Sequence, residues 1–297
     1  MTKKLTIGTP FYEDFKGAFF TIQNIQINHR KFKDRIEFVV VDNKPRTRQS
    51  ARLKKFLGSI TQSKVKYVEL KSPVGTACAK NAVFDNAETD YVLCIDSHVI
   101  LEENCIEDLF RIYEYGMDHD GLVQGPLIGD DADPQTAQNS FTSKWSGGMF
   151  GQWERIAQGR KKVIPATPSF ACGFLSSRKD NWLGFNEHFR GFGGEEGYIQ
   201  QKYWKNTRPA FVFQELGWCH LFEDIDRSNS HKSVFDQARN YIIGWQELGF
   251  DLTEMKDHFV GEGLLPQRQW DWIMQDPISH QKPRLTVGVK NQPAIMH

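Results

Sequence analysis

The stretch YVLCIDSH, residues 91–98, decides the fold class of this 297-residue chain. The apolar run Tyr91 to Ile95 is typical of a short strand that is buried on both faces of a sheet. The run ends in a polar triplet, Asp96, Ser97 and His98. A buried strand that stops at a carboxylate and an imidazole predicts an α/β fold with a ligand site beyond the carboxyl end of the strand.

Strand and helix patterns alternate on the N-terminal side of this stretch. Strands are predicted at residues 5–8, 37–41 and 64–70, and helices at 17–29, 52–59 and 75–86. Strands that are separated by segments of helix length imply βαβ units and a mainly parallel sheet flanked by helices. Three candidate functional positions, Pro10, Asp42 and Asp96, follow strand ends and are expected at the same edge of that sheet.

The second half of the chain is less regular. A helix at 102–115 and a strand at 121–128 precede a turn-rich acidic stretch, 129–139, which we expect to be a surface loop. A helix is predicted to begin near Glu195, and two or three amphipathic helices lie within 234–275. From residue 281 the chain has little helical pattern and is expected to form an arm or tail.

Net charge, cysteine spacing and the length of the apolar runs bear on the partners and the location of the protein. The 37 basic and 37 acidic side chains cancel, so net charge gives no argument for nucleic acid or a membrane surface. Five cysteines without CxxC spacing are expected to be buried, reduced thiols. We find no signal-peptide pattern and no apolar run of about 20 residues, so we expect a cytoplasmic protein without a membrane partner.

Asp96 and His98 are the strongest candidate metal ligands. Residues two apart in a strand face the same side, so both side chains could reach one cation at the end of the strand. Oxygen and nitrogen ligands together suit a borderline ion such as Mn²⁺ better than Ca²⁺. On spacing alone a helix cap is the commoner use of Asp96 or Ser97, because both residue types are frequent there.

Two later motifs are ambiguous by themselves. Gly193 and Gly194 allow a sharp turn or a close approach to a ligand, and Glu195 and Glu196 follow them. A carboxylate there could act as a base, bind sugar hydroxyls or cap a helix. His220 lies among aromatic residues, where a histidine is more often a satisfied core residue than a ligand.

Taken in order, these motifs resemble GT-A glycosyltransferases, in particular the polypeptide N-acetylgalactosaminyltransferases. That family has Asp-Ser-His or Asp-Ala-His, then Trp-Gly-Gly-Glu, then His-Val-Phe. This chain has Asp96-Ser97-His98, Phe192-Gly193-Gly194-Glu195 and His220-Leu221-Phe222. Residues 75–96 also look like the family-2 pattern. Departures are Phe192 for Trp, Glu196 for Asn and Lys80 for the usual Arg, and we expect no lectin domain after the catalytic core.

The resemblance implies a fold and a set of roles. It implies a GT-A, Rossmann-like catalytic domain over residues 1–230, with a helical C-terminal extension and tail over 231–297. Asp96, His98 and His220 would hold Mn²⁺ (or Mg²⁺), and Glu195 or Glu196 would face the donor sugar and acceptor. Residues expected to contact the nucleotide-sugar donor are Thr9, Pro10, Asp42, Lys80, Asp96 and Gly173.

The implied reaction is transfer of a sugar from a nucleoside diphosphate, expected to be UDP, to an acceptor hydroxyl, with retention as the favoured outcome. The acceptor stays open. A basic run from Lys44 to Lys66 contains no acidic residue and is either a solvated face or a phosphate-binding rim. In the second case the acceptor could be a hydroxymethylated base in DNA, and Trp145, Phe150 and Trp153 could stack on it or pack in the core. Glycans, small molecules and proteins remain as other acceptors.

Two functions of a different class use the same residues. A non-catalytic nucleotide-sugar-binding protein would keep the fold without turnover, although such a protein would be free to lose a metal ligand. A metal hydrolase with the same ligands would release sugar or phosphate without any acceptor.

Overall fold

The computed structural model describes residues 4–71, 74–115, 120–129, 137–155, 163–165, 169–221 and 233–278. The strands in the described part of the chain are β1 Leu5–Phe11, β2 Ile36–Asp42, β3 Lys64–Glu69, β4 Tyr91–Ile95, β5 Val99–Leu101, β6 Val123–Gln124, β7 Leu127–Ile128, β8 Ser140–Phe141, β9 Trp145–Ser146, β10 Met149–Phe150, β11 Trp153–Glu154, β12 Val163–Pro165, β13 Phe174–Arg178, β14 Phe211–Phe213 and β15 Trp218–His220. The helices there are α1 Phe15–Asn28, α2 Arg48–Leu57, α3 Thr76–Asn86, α4 Cys105–Tyr115, α5 Tyr198–Lys205, α6 Val234–Leu248, α7 Thr253–Lys256 and α8 Gln267–Gln275.

A central sheet of eight strands has the order β12-β14-β6-β13-β4-β1-β2-β3. Strands β4, β1, β2 and β3 are parallel to one another, whereas β13 runs antiparallel to β4. Every residue of β2 and β4 is buried, as expected for strands covered on both faces by helices. The predicted α/β fold with a mainly parallel sheet is confirmed.

A second sheet of three strands, in the order β5-β15-β7, determines where the site forms. Strand β5 begins only four residues after the end of β4, and it pairs antiparallel with β15 so that Val99 lies opposite His220. This pairing brings a histidine from late in the chain to the carboxyl end of β4.

One predicted strand is divided in two. The pattern at 121–128 predicts a single strand, but β6 joins the central sheet and β7 joins the small sheet. The strand is interrupted at Gly125 and Pro126. The carbonyl of Gly125 accepts a hydrogen bond from the indole of Trp218, and that of Pro126 accepts one from the backbone N–H of Trp218. A Cβ at Gly125 would lie 1.8 Å from the carbonyl oxygen of Leu216, so only glycine fits there.

Helix α6 packs against the main fold. Its Ala238, Tyr241 and Ile242 are fully buried and share one apolar cluster with α3 and α5, beside the central sheet. The boundary predicted at residue 230 falls among residues outside the described part and stays a prediction, as do the conformation of the acidic stretch over 130–136 and that of the tail. None of the helices in the described ranges combines the length and apolarity needed to cross a bilayer.

His29, which ends α1, is buried and its two ring nitrogens have no hydrogen-bond partner among the described residues. Burial, followed by the nearby charge of Lys31, lowers the pKa of His29 from 6.5 to about 4. The unfolded chain therefore takes up this proton at a higher pH than the folded chain does. Stability contributed by the neutral ring is present above pH 6.5 and is lost as the pH falls towards 4.

We expect wild-type protein to lose about 3 kcal/mol of unfolding free energy from His29 as the pH falls from 6.5 to 4. His29→Leu fills a similar volume without a titrating group, so it should remove that part of the acid dependence. Urea unfolding across this pH range measures the difference. A control, His188→Leu at a histidine outside this pocket, should keep the wild-type slope; an unchanged slope in His29→Leu would show that other groups cause it.

Candidate functional site

Asp96, His98 and His220 converge at the carboxyl end of β4. The backbone N–H of Asp96 donates to the carbonyl of Gly173, 3.1 Å away, which fixes the first residue beyond the strand. The carbonyl of His98 accepts from the backbone N–H of Leu221, 3.0 Å away. The ladder between β5 and β15 therefore continues into the site and holds both histidines side by side.

The side-chain geometry suits one divalent cation. The two Nε2 atoms of His98 and His220 are 3.0 Å apart, and Nε2 of His220 is 3.8 Å from Oδ2 of Asp96. One ligand atom from each residue lies within 4.8 Å of the others. Two ligand atoms about 2.1 Å from one ion and at right angles to each other are about 3 Å apart. One oxygen and two nitrogen ligands are a set that Mn²⁺ and similar ions accept.

Lys80 lies directly behind this cluster. Lys80 is 1% exposed, and its ammonium lies 2.8 Å from Oδ1 of Asp96 and also donates to the carbonyl of Cys172. Burial opposes ionisation of Asp96, but nearby positive groups, led by Lys80, outweigh it and lower the pKa of Asp96 to about 2. Burial likewise opposes the charge on Lys80, and attraction to Asp96 outweighs it, so the pKa of Lys80 is raised. Asp96 is therefore ionised, with Oδ2 turned towards the histidines.

Gly173 closes the cluster on the other side. A Cβ at this position would lie 2.6 Å from the ring of Trp218 and 3.5 Å from Oδ2 of Asp96. Any larger residue would push on the indole or on the carboxylate. The glycine that precedes β13 is thus required by close packing behind the cluster.

Glu195 and Glu196 precede a helix rather than forming its first turn. The sequence predicted a helix beginning near Glu195, but α5 begins at Tyr198, because Gly197 adopts a left-handed conformation with φ of 78°. Burial raises the pKa of Glu195 to about 7. Burial, followed by the neighbouring charge of Glu195, raises the pKa of Glu196 to about 7.

The Gly-Gly turn before these carboxylates is held by α6. Gly193 and Gly194 have φ angles of 95° and 92°, which L side chains rarely adopt. Asn240 donates to the carbonyls of Arg190 and Gly193 and accepts from the N–H of Arg190, with distances between 2.7 and 3.1 Å. A Cβ on Gly194 would come within 2.5 Å of Asn240. The turn therefore depends on contact with a helix more than 40 residues later.

The predicted nucleotide-contacting residues lie along the same sheet edge. Thr9 and Pro10 lie between the ends of β4 and β2, opposite Val40 and Val41. Asp42 ends β2, but it is fully buried: Oδ1 accepts from the N–H of Lys44 at 2.9 Å, and Oδ2 accepts from the hydroxyl of Tyr67. The structure does not bring Asp42 into the Asp96 cluster.

Half of the basic side chains in the run from Lys44 to Lys66 are paired with carboxylates. Four of its eight basic side chains form ion pairs with carboxylates distant in sequence: Lys44 with Glu13, Lys54 with Glu69, and both Lys64 and Lys66 with Glu88. Arg52 lies 4.2 Å from the ring centre of Phe15.

The aromatic residues proposed as a stacking platform pack on each other and on the C-terminal helices. Trp145 contacts Phe150, Tyr241, Trp245, His258 and Phe259. Trp153 contacts the rings of Phe141 and Phe170. Core packing is therefore their use in this structure.

Asp14 is a site residue that the sequence analysis missed. Its Oδ2 is 3.0 Å from Nδ1 of His98 and 3.3 Å from Oγ of Ser97, and its Oδ1 accepts from the N–H of Gly17 at 2.9 Å. An aspartate just before a predicted helix is an N-cap signal. That signal could have located Asp14 at the start of α1, but not beside His98, which is 84 residues away in sequence.

The family model for "Glycosyl transferase family 2" matches residues 18–183, more than half of the chain. No curated protein matches at a significant level.

Several solved structures share the fold. A structure of GalNAc-T7 with UDP, GalNAc and Mn²⁺ has a TM-score of 0.65 at 14% identity, covering 93% of this chain and 58% of that one. S. aureus TarS 1-349 with UDP-GlcNAc has a TM-score of 0.53 at 17% identity, covering 88% of this chain and 71% of that one. The mannosyltransferase PcManGT from Pyrobaculum calidifontis, with GDP-Man and Mn²⁺, has a TM-score of 0.56 at 15% identity, covering 83% and 64%. At these identities the similarity establishes the GT-A fold, and the chain spans only 58% of GalNAc-T7.

The raised pKa of Glu195 predicts a pH-dependent cost in stability. The unfolded chain ionises this carboxyl near pH 4.5 and the folded chain near pH 7. The contribution of the neutral carboxyl group to the unfolding free energy is therefore fully present below pH 4.5 and is lost as the pH rises through 7. Glu195→Gln should therefore gain stability relative to wild type over this range, up to about 3 kcal/mol at pH 8. Thermal unfolding at pH 4.5 and 8 measures the gain. Exposed Glu187→Gln is the control, and an equal change in both variants would contradict the prediction.

Proposed function

Because the chain belongs to glycosyl transferase family 2 and is a glycosyltransferase of the GT-A fold, we propose that it transfers sugar from a nucleoside-diphosphate donor with a divalent cation held by Asp96, His98 and His220. The observation that carries this proposal is the convergence of these three side chains at the carboxyl end of β4. Parallel α/β sheets bind their ligands at that edge.

We propose a UDP-linked donor. Two of the similar structures contain UDP or UDP-GlcNAc, and a third contains GDP-Man. The ordered Asp-x-His, Gly-Gly-Glu and late His motifs point towards the enzymes that use UDP sugars. Mn²⁺ is the proposed ion, with Mg²⁺ as the alternative, because two nitrogen ligands favour the softer of these ions.

The bound cation would supply positive charge where the diphosphate leaving group becomes more negative, in a site with little water. The chain's own contribution is to keep the ligands oriented. Lys80 holds Asp96 ionised and fixes its Oδ1, which leaves Oδ2 for the cation side. Lys80 is thus proposed to act behind the metal site, and its contact with the donor stays a prediction.

Glu195 and Glu196 are proposed to face the donor sugar and the acceptor. Their pKa values of about 7 make proton exchange with an acceptor hydroxyl feasible near neutral pH. The Asp-x-His and late His pattern favours retention of configuration, which NMR of the product anomer would establish.

Thr9 and Pro10 are proposed to line the nucleotide pocket. Asp42 would shape that pocket through its bond to the N–H of Lys44, or would contact the base if Tyr67 moved away.

The acceptor has weaker support than the donor. A DNA base remains a candidate because Arg46, Arg48 and Lys55 lie in the basic run. A glycan, small-molecule or protein acceptor is favoured instead. Four of the basic residues are already paired with carboxylates, and Trp145 already packs on Tyr241, so these side chains are engaged within the protein.

The metal proposal predicts that UDP stabilises wild-type protein only when Mn²⁺ is present. Binding to the native state raises its stability by about 2.7 kcal/mol at 100 times the dissociation constant. His98→Ala should lose this Mn²⁺-dependent rise in Tm while its Tm without ligand stays close to wild type. A thermal-shift screen of UDP, GDP and their sugars with and without Mn²⁺ measures both quantities, with His188→Ala as the control. If His98→Ala keeps the wild-type response, this metal site is wrong.

The catalytic proposal predicts a separation of binding from turnover. Glu195→Gln and Glu196→Gln should keep the donor-induced Tm shift, and at least one should slow acceptor-dependent UDP release by about 100-fold or more. Exposed Glu187→Gln is the control and should remain fully active. Wild-type rates in both site variants would remove these carboxylates from the mechanism.

A further inference from the structure

A polar stripe on α1 holds the segment that carries His98. Thr21 accepts from the backbone N–H of Val99 at 2.9 Å, and Asn24 accepts from the N–H of Leu101 at 3.0 Å. Asp14, just before α1, contacts His98 and Ser97. These contacts lie along one face of the helix, so α1 supports the whole length of the segment 97–101.

Gly17 allows this close approach. A Cβ at Gly17 would lie 2.3 Å from Oδ2 of Asp14, 2.5 Å from the carbonyl of Ser97 and 2.8 Å from Cβ of His98. The first turn of α1 is therefore packed directly against the loop that presents the histidine. Asp14 cannot turn away from His98 freely, because its Oδ1 is held by the N–H of Gly17.

The contact between Asp14 and His98 selects one form of the imidazole. A neutral histidine carries its proton on one ring nitrogen and a lone pair on the other. The carboxylate of Asp14 only accepts hydrogen bonds, so it favours the proton on Nδ1. The lone pair is then on Nε2, the atom that lies 3.0 Å from Nε2 of His220.

We propose that Asp14 is a positioning residue for the metal centre: it accepts the Nδ1 proton of His98 and thereby presents the Nε2 lone pair to the cation. This inference rests on the proposed function, because it assumes that His98 is a ligand. A carboxylate that orients a metal-bound histidine raises metal affinity by about 10- to 100-fold.

Two variants separate this role from helix capping. In Asp14→Asn, the amide oxygen can still cap Gly17, which turns the NH₂ group towards His98 Nδ1 and favours the other tautomer. In Asp14→Ser, the hydroxyl can still cap the helix but is too short to orient the ring. Both variants should therefore fold with a Tm near that of wild type when no ligand is present.

The experiment measures the Mn²⁺ concentration that gives half of the UDP-dependent Tm shift. We expect this concentration to rise by about 10-fold in Asp14→Ser and by up to about 100-fold in Asp14→Asn. Long-range ¹⁵N NMR of metal-free protein should place the His98 proton on Nδ1 in wild type and on Nε2 in Asp14→Asn. Thr47→Ser, at the cap of α2, is the control and should change neither quantity.

Wild-type Mn²⁺ dependence in both Asp14 variants, or an unchanged His98 tautomer in Asp14→Asn, would overturn the positioning role and leave the proposed function intact. A wild-type protein that shows no Mn²⁺ effect with any nucleotide tested would overturn the proposed function, and this inference with it. If Asp14→Asn loses its fold, Asp14→Ser decides the question by the same titration.

Discussion

The buried ion pair between Lys80 and Asp96 is the interaction on which the site depends. A buried ammonium is costly unless it is paired and hydrogen-bonded, and Lys80 meets both conditions through Asp96 and the carbonyl of Cys172. The pair joins α3, the end of β4 and the segment that leads into β13. If either partner were removed, an uncompensated charge would remain at the carboxyl end of β4. The contact that fixes the orientation of Asp96 is therefore also the one that compensates the buried charge of Lys80.

The carboxylates Glu195 and Glu196 depend on a different support. Their turn has two consecutive glycines with positive φ, and Asn240 of α6 satisfies its carbonyl groups. The N–H of Thr76, at the start of α3, also donates to the carbonyl of Gly191. The site is thus assembled from the ends of strands, which are rigid, and from one turn that is braced between two helices. Burial raises the pKa of both carboxyl groups to about 7, so their ionised forms oppose stability as the pH rises through neutrality.

The sequence predicted those parts of the structure that depend on local pattern. Continuous apolar runs identified β2 and β4, and the polar residues at their ends identified the sheet edge. The link between His220 and Asp96 came from resemblance to a family, since spacing alone left His220 as a core residue. The break at Gly125, the burial of Asp42 under Tyr67 and the contact of Asp14 with His98 could not be predicted. Each depends on a neighbour at least 25 residues away in sequence, which no local periodicity encodes.

The small sheet has a consequence for the order of folding. His98 and His220 meet across 122 residues, so their contact closes a long loop and has a high entropic cost early in folding. The α1–β1–β2 region can form from contacts that are much closer in sequence, and such contacts form faster. A partly folded chain in which β15 has not yet paired with β5 would therefore keep His220 apart from Asp96 and His98. If Asp96, His98 and His220 hold a cation as proposed, the complete site would form only when β15 docks on β5, and metal loading would report that docking.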